Sequence, residues 1–217
     1  MMGNISYRRK GQIHADPGAY LPGGHKRLAY IQSTGTQHID TGVVAGSGFR
    51  AVADITLTGA LSSTLTSIIG AHNPAPPYGR NFLAAKSGAY EVGIGDGWMD
   101  GGTPSIGVRQ TLEASTIYGD AYLLIDGARQ NMTTSDKPSA THSTNTLHLL
   151  NINGGEAWVG KASCKLYEVK IYDSKSALAR DFVPCINPSG AVGLYDLVGK
   201  KFYGNAGTGA FIGSEVP

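Results

Sequence analysis

Short apolar runs separated by turn residues are the feature of this sequence that most restricts its fold. In residues 49–57, FRAVADITL, every odd position is apolar, whereas Arg50, Asp54 and Thr56 occupy even positions. Alternation with a period of two predicts a β-strand that buries one face and exposes the other to water. The 31 glycines and 10 prolines suit tight turns between many such strands and disfavour long helices.

Similar runs, bounded by Gly, Asn, Asp or Pro, recur along the chain. They predict strands at residues 29–33, 38–43, 49–57, 66–71, 82–86, 90–95, 107–115, 121–125, 146–151, 164–172, 178–183, 192–196 and 201–203. About a dozen short strands fit two packed antiparallel sheets, so we expect an all-β sandwich. Residues 28–217 are predicted to form this domain. Residues 1–27 combine prolines and glycines without either period and are predicted to be an irregular N-terminal arm or linker.

Two turn signals are strong. Asp126-Gly127 directly follows an apolar run and favours a tight β-hairpin, because Gly tolerates positive φ. Asp126 is therefore predicted to be a turn residue rather than a ligand. The run Asn153-Gly154-Gly155 predicts another hairpin tip, and Trp158 after it is predicted to be structural.

Charge and hydropathy exclude two kinds of partner. The net charge of +2 is too small to indicate nucleic-acid binding, and we interpret the basic run at residues 8–10 as a solvated or docking tail. Residues 1–30 contain no secretion-signal pattern, and no stretch approaches the ~18 apolar residues of a membrane span. We expect no membrane partner, and a chain that stays in the cytoplasm, leaves by another route or has lost its signal.

The two cysteines, Cys164 and Cys185, are too few for a disulfide scaffold and lack zinc-site spacing. If the strand ending at Tyr172 turned back so that Tyr172 opposed Ala177, Cys164 would oppose Cys185. A cross-strand disulfide would then be geometrically allowed. The alternative is a pair of free core thiols.

Two parts of the chain resemble a known family. Residues 28–42, LAYIQSTGTQHIDTG, look like the first strands of laminin G-like domains of the concanavalin A-like lectin/glucanase superfamily, found in phage, prophage and bacterial surface proteins. The later segments at residues 160–173, 180–185, 193–196 and 202–205 resemble its last strands. The resemblance spans about residues 28–213 and implies a jelly-roll β-sandwich. This superfamily includes lectins, hydrolases and structural modules, so the fold alone does not define the activity.

The chain lacks the catalytic pattern of the glucanases that it resembles. Those enzymes place their carboxylates on one strand as Glu-x-Asp-x-Glu or Glu-x-Asp-x-x-Glu, which suits a retaining mechanism. Here the glutamates are scattered, at Glu91, Glu113, Glu156, Glu168 and Glu215. The histidines show no metal-ligand spacing either. We therefore expect a protein that is not an enzyme.

Two predicted loops offer groups that bind sugars. The first, residues 72–81, contains Asn73, Tyr78, Arg80 and Asn81, which combine an aromatic ring with hydrogen-bonding amides and a guanidinium. In the second, residues 96–102, Trp98 lies between Asp96 and Asp100. These aspartates are also candidates for a Ca²⁺ ion that orders the loop. The structural alternative is that Trp98 closes the end of the sandwich and the aspartates cap turns.

Together, these features predict a recognition or structural module. The first hypothesis is a phage virion protein, such as a tail-fibre, receptor-binding or capsid-decorating protein, that binds bacterial surface glycans or another virion protein. A homo-oligomer held by the N-terminal arm is expected with it. Three alternatives stay open: a cell-surface or secreted bacterial adhesion module, a purely structural oligomerisation module, and a divergent glycoside hydrolase.

Overall fold

The alternating segments of the sequence form β-strands in the computed structural model, which describes residues 21–154 and 159–216. Every predicted strand overlaps an observed one, and no helix occurs in these residues. None of the described segments is therefore a helix that could cross a membrane. Residues 1–20 of the predicted arm and Trp158 lie outside the described ranges.

The first sheet has ten strands. They are, numbered in chain order, β1 (Lys26–Thr34), β3 (Arg50–Leu57), β8 (Arg109–Ser115), β9 (Tyr122–Ile125), β10 (Ala128–Arg129), β15 (Ser163–Tyr172), β16 (Leu178–Ile186), β17 (Val192–Asp196), β18 (Lys201–Tyr203) and β19 (Ile212–Glu215). Their order is β10-β9-β8-β3-β15-β1-β16-β17-β18, and β19 pairs with β1. All pairings in this sheet are antiparallel.

The second sheet has nine strands. They are β2 (Ile39–Val44), β4 (Leu65–Asn73), β5 (Gly79–Lys86), β6 (Ala89–Gly95), β7 (Gly97–Gly101), β11 (Met132–Thr134), β12 (Thr146–Leu149), β13 (Ile152–Asn153) and β14 (Val159–Lys161). Their order is β11-β7-β6-β5-β4-β12-β2, with β13 and β14 beside β4. Buried side chains of both sheets form one core cluster, so the arrangement is an all-β sandwich, as predicted.

The side of β3 that faces away from the core is not exposed to solvent, contrary to the prediction. Asp54 and Thr56 are only 3% and 7% exposed. Arg109 of the neighbouring β8 donates two hydrogen bonds to the Asp54 carboxylate, at 2.8 and 2.7 Å, and its guanidinium lies 3.8 Å from the centroid of the Tyr167 ring. Long side chains from adjacent strands therefore cover this strand on its second face.

β1 lies between β15 and β16. These two strands pair with each other at residues 169–172 and then separate, and β1 pairs with each of them beyond that point. Cys164 consequently lies opposite Ser33 of β1, whereas Cys185 lies opposite Arg27 of the same strand. The disulfide alternative is excluded, because a whole strand separates the two cysteines, and the alternative of two free core thiols is confirmed.

The two predicted hairpins have different outcomes. Asp126 and Gly127 connect β9 to β10 with φ values of 50° and 81°, as a type I′ turn requires, which confirms Asp126 as a turn residue. The second hairpin is wrong, because β13 and β14 both run parallel to β4 and therefore in the same direction. Gly155, at the tip of that predicted hairpin, lies outside the described residues.

Residues ahead of the predicted domain boundary also pack on the sandwich. Leu21 packs against the small cluster of Val183, Cys185 and Tyr195 on the side of the ten-stranded sheet away from the core. The His25 ring contacts Tyr195 edge-on, with centroids 5.2 Å apart. Because β1 begins at Lys26, the boundary predicted at residue 28 falls inside this strand.

The side of the nine-stranded sheet that faces away from the core, here called the outer face, has its own apolar cluster. Along β5, Leu83 and Ala85 belong to the main core, whereas Phe82 and Ala84 alternate with them and pack with Leu65 and Ile152. Phe82 is fully buried between Gly70 of β4 and Gly93 of β6, and a Cβ at either glycine would overlap it. The missing side chains therefore make room for the ring.

Gly93→Ala is expected to lower the free energy of unfolding by about 1–3 kcal/mol, because the new methyl group overpacks against Phe82. Gly23→Ala is the matched control, since a Cβ there meets nothing within 4 Å. Urea denaturation of both variants measures the difference. Equal stability of the two variants would show that Phe82 is not confined by Gly93.

Two histidine rings stack where β2 and β12 meet. The His38 and His148 centroids are 4.8 Å apart, and Asp40 Oδ1 lies 4.0 Å from His148 Nε2. Burial lowers the pKa of both histidines; the nearby Lys161 lowers both further, and Asp40 acts in the opposite direction. Both rings therefore favour the neutral form in the folded protein.

Folding stability is expected to fall as the pH drops from 7.5 to 5.5. The unfolded chain binds protons near the ordinary histidine pKa of about 6.5, whereas the folded chain binds them only at lower pH. The variant His38→Gln/His148→Gln should lose less stability over the same interval. Denaturation curves at the two pH values test this, and identical losses in both proteins would contradict it.

Candidate functional site

Trp98 lies in a strand rather than in the predicted loop. The connection from β6 to β7 is a two-residue turn at Gly95 and Asp96, with Ile94 opposite Gly97. Gly95 has φ +62°, the positive value that a type II′ hairpin needs at its first central position. This tight turn extends the sheet through residues 97–101 and places Trp98 opposite Gly93 on the outer face.

The other predicted loop is much shorter than expected. β4 continues to Asn73 and β5 starts at Gly79, with those two residues paired, so the connection contains only residues 74–78. Arg80 is thereby part of β5. Because side chains alternate along the strand, Arg80 shares the outer face with Phe82 and Lys86.

Three predicted site residues come together around Arg80. Its guanidinium carbon lies 5.2 Å from the centroid of the Trp98 ring and 5.8 Å from that of Tyr78. Its Nη1 donates a hydrogen bond to the main-chain carbonyl of Asp96. Two residues predicted in separate loops, Trp98 and Tyr78, therefore flank one cation.

Asn73 and Asn81 do not join this group. Asn81 is fully buried, and its carbonyl oxygen accepts from Ser143 N at 2.9 Å. The Asn73 side-chain oxygen accepts from Ser143 Oγ and Thr144 N, both at 3.1 Å. The prediction that these amides contact a ligand is wrong for Asn81, and the described contacts of both residues fasten the segment at residues 142–144 to β4 and β5.

The two aspartates do not fit one calcium ion. Asp96 lies in the turn before β7 and Asp100 four residues further along the extended chain, so their Cα atoms are roughly 13 Å apart. Calcium needs its oxygen ligands within about 2.6 Å. Asp96 accepts from Ser139 Oγ, and Asp100 accepts from Ser135 Oγ. In the described ranges, no group of three or more His, Cys, Asp or Glu side chains is arranged to hold a metal.

A pocket of about 400 Å³ opens on the outer face beside Trp98 and Arg80. Sequence reasoning missed five of its lining residues, which are Ser63, Thr64, Leu65, Lys86 and Glu91. Lys86 could have been predicted, because alternation along β5 places it on the same face as Arg80. Glu91 was identifiable only from the register, which places it opposite Asp100 of β7.

Lys86 bridges two acidic side chains at one end of the pocket. Its Nζ lies 2.8 Å from Glu91 Oε2 and 2.7 Å from Asp100 Oδ1. Burial opposes the charge on Lys86, but the hydrogen bonds to Asp100 and Glu91 outweigh it and raise the lysine pKa. Burial also raises the pKa of Glu91, although Lys86 acts in the opposite direction. The lysine thus keeps two facing carboxylates together.

These groups allow ligand binding by stacking and hydrogen bonding. The indole of Trp98 supplies an aromatic surface, Ser63 and Thr64 supply hydroxyls, and Arg80 supplies N–H donors. A search against protein-family models finds no matching family, and a search of curated proteins finds no matching protein. The chemistry of this pocket is therefore the guide to function.

Lys86→Met is expected to lower the free energy of unfolding by about 1–3 kcal/mol at pH 7, because Glu91 and Asp100 then face each other without a cation. The loss should be smaller at pH 4.5, because burial raises the pKa of Glu91 and its protonation removes one of the two facing charges. Urea denaturation at both pH values checks this. Adding Glu91→Gln should recover stability at pH 7, and a loss that is the same at both pH values would contradict the assignment.

Proposed function

We propose that this chain is a non-catalytic recognition module that binds saccharides in the outer-face pocket. This proposal is best supported by Trp98 and Arg80, which lie side by side on the wall of the pocket. Sugar rings present apolar C–H faces and hydroxyl edges, and a site for them needs an aromatic surface beside hydrogen-bonding groups. The pocket combines both, and its volume lies within the range of small-ligand sites.

We also propose that the sandwich is a jelly-roll of the concanavalin A-like, laminin G-like kind. Two packed sheets of ten and nine strands support it, together with the resemblance of residues 28–42 to the first strands of that family. We further propose that the protein belongs to a phage virion, as a tail-fibre, receptor-binding or capsid-decorating protein whose ligand is a bacterial surface glycan. The family resemblance supports this setting.

We also propose that the protein is not an enzyme. The ion pairs that occupy the pocket carboxylates support this. Glu91 and Asp100 are on neighbouring strands, but Lys86 binds both of them. A glycosidase needs one carboxyl group that protonates the leaving group and one that acts as nucleophile or base. A lysine that forms ion pairs with both carboxylates opposes these roles.

Binding to an array of bacterial surface glycans tests the function. The wild-type protein should bind a defined subset of saccharides, and Trp98→Ala should weaken that binding about tenfold or more, because the stacking surface is lost. Tyr118→Ala is the control, since Tyr118 is exposed and does not line the pocket.

Two results would overturn the proposal. The first is a wild-type protein that binds no saccharide on the array. The second is binding that Trp98→Ala leaves at the wild-type level while the variant keeps the wild-type melting temperature.

A further inference from the structure

The pocket contains two cations, and one of them already has acidic partners. Lys86 forms ion pairs with Glu91 at 2.8 Å and with Asp100 at 2.7 Å. Both acidic side chains at this end of the pocket are thus bound to the lysine. Arg80, at the other end of the same strand, is the second cation.

Arg80 differs from Lys86 in its partners. Among the described residues no carboxylate lies within ion-pair distance of it. It donates to the Asp96 carbonyl and lies beside the rings of Tyr78 and Trp98, and at longer range its charge acts to lower the pKa of Glu91. A guanidinium has five N–H donors, so a single carbonyl bond leaves donors for a ligand.

The surroundings of Arg80 strengthen its attraction for an anion. The rings of Trp98 and Tyr78, whose centroids lie 5.2 and 5.8 Å from the guanidinium carbon, displace part of its water, and charge interactions are stronger where less water is present. The planar guanidinium pairs with carboxylate or phosphate oxygens through two parallel hydrogen bonds. Ser63 and Thr64 line the same pocket and provide hydroxyls for the rest of the ligand.

We propose that the pocket selects acidic saccharides and that Arg80 binds their anionic group while Trp98 packs against the sugar ring. This inference extends the proposed saccharide-binding function and depends on it. The shared chemistry is an oxyanion on a sugar, which a uronic acid or a sugar phosphate supplies. Neutral saccharides lack the group that would pair with Arg80.

The test measures affinity for four probes: oligogalacturonates, their methyl esters, phosphate-bearing oligosaccharides and neutral oligosaccharides. The wild-type protein should prefer uronate or phosphate probes over neutral ones, and esterification should abolish the preference for uronates. Arg80→Gln should reduce affinity for the acidic probes by about ten- to a hundredfold, and the reduction for neutral probes should be smaller, because they lose only hydrogen bonds and no ion pair. A preference for uronates over phosphates, or the reverse, identifies the source of the oxyanion.

Two variants keep this test interpretable. Arg129→Gln is a matched control, because Arg129 is exposed and lies 5.0 Å from the Tyr122 ring on the other sheet. Arg80→Lys retains the charge without the planar fork and should recover only part of the affinity. Binding of neutral probes alone, unaffected by Arg80→Gln, would overturn the inference and keep the proposed function. No binding of any probe or array glycan would overturn both.

Discussion

The pairing of β1 with three other strands is the constraint on which the sandwich depends. β1 pairs along one edge with β15, and along its other edge with β16 at Lys26 and Arg27 and with β19 from Leu28 to Gln32. All three partners belong to the last third of the chain. The ten-stranded sheet therefore cannot be completed until segments far apart in sequence meet, which gives the fold many non-local contacts. Leu28 and Ile31 of β1 are buried in the core that both sheets share.

The same packing leaves the outer face of the nine-stranded sheet available for a ligand. Leu83 and Val92 are on the core side, so their neighbours along β5 and β6 face outward. Gly70 and Gly93 let Phe82 sink into the sheet. The rigid strands β5, β6 and β7 then hold Arg80, Glu91 and Trp98 at fixed spacing, which favours precise ligand contacts over those of a loop.

Much of the fold could be predicted from local patterns, because period-two alternation and turn residues encode strands directly. β7 was missed because its sequence, GWMDG, is short and bounded by glycines. The segments of β13 and β14 were predicted to form a hairpin, whereas both pair in parallel with β4, and this depends on tertiary structure. The sequence left the disulfide open for a related reason: no local signal shows that β1 separates β15 from β16.

The candidate site was predicted less completely than the fold. Trp98, Tyr78 and Arg80 were recognisable as sugar-binding residue types, but the contact between Glu91, Asp100 and Lys86 arises from the register of three strands. Asn81 was misassigned although its own strand contained the signal. It alternates in phase with Leu83 and Ala85, which face the core, so its side chain is directed inward as well.

An NMR titration tests most directly whether the outer face binds the ligand. The indole N–H resonance of Trp98, assigned from a Trp98→Phe variant, and the Arg80 Nε–H resonance are followed while each saccharide that the protein captures is added. The largest shifts are expected at these two groups and along β5 to β7. Shifts confined to the ten-stranded sheet, with the Trp98 and Arg80 resonances unmoved at saturation, would contradict the account.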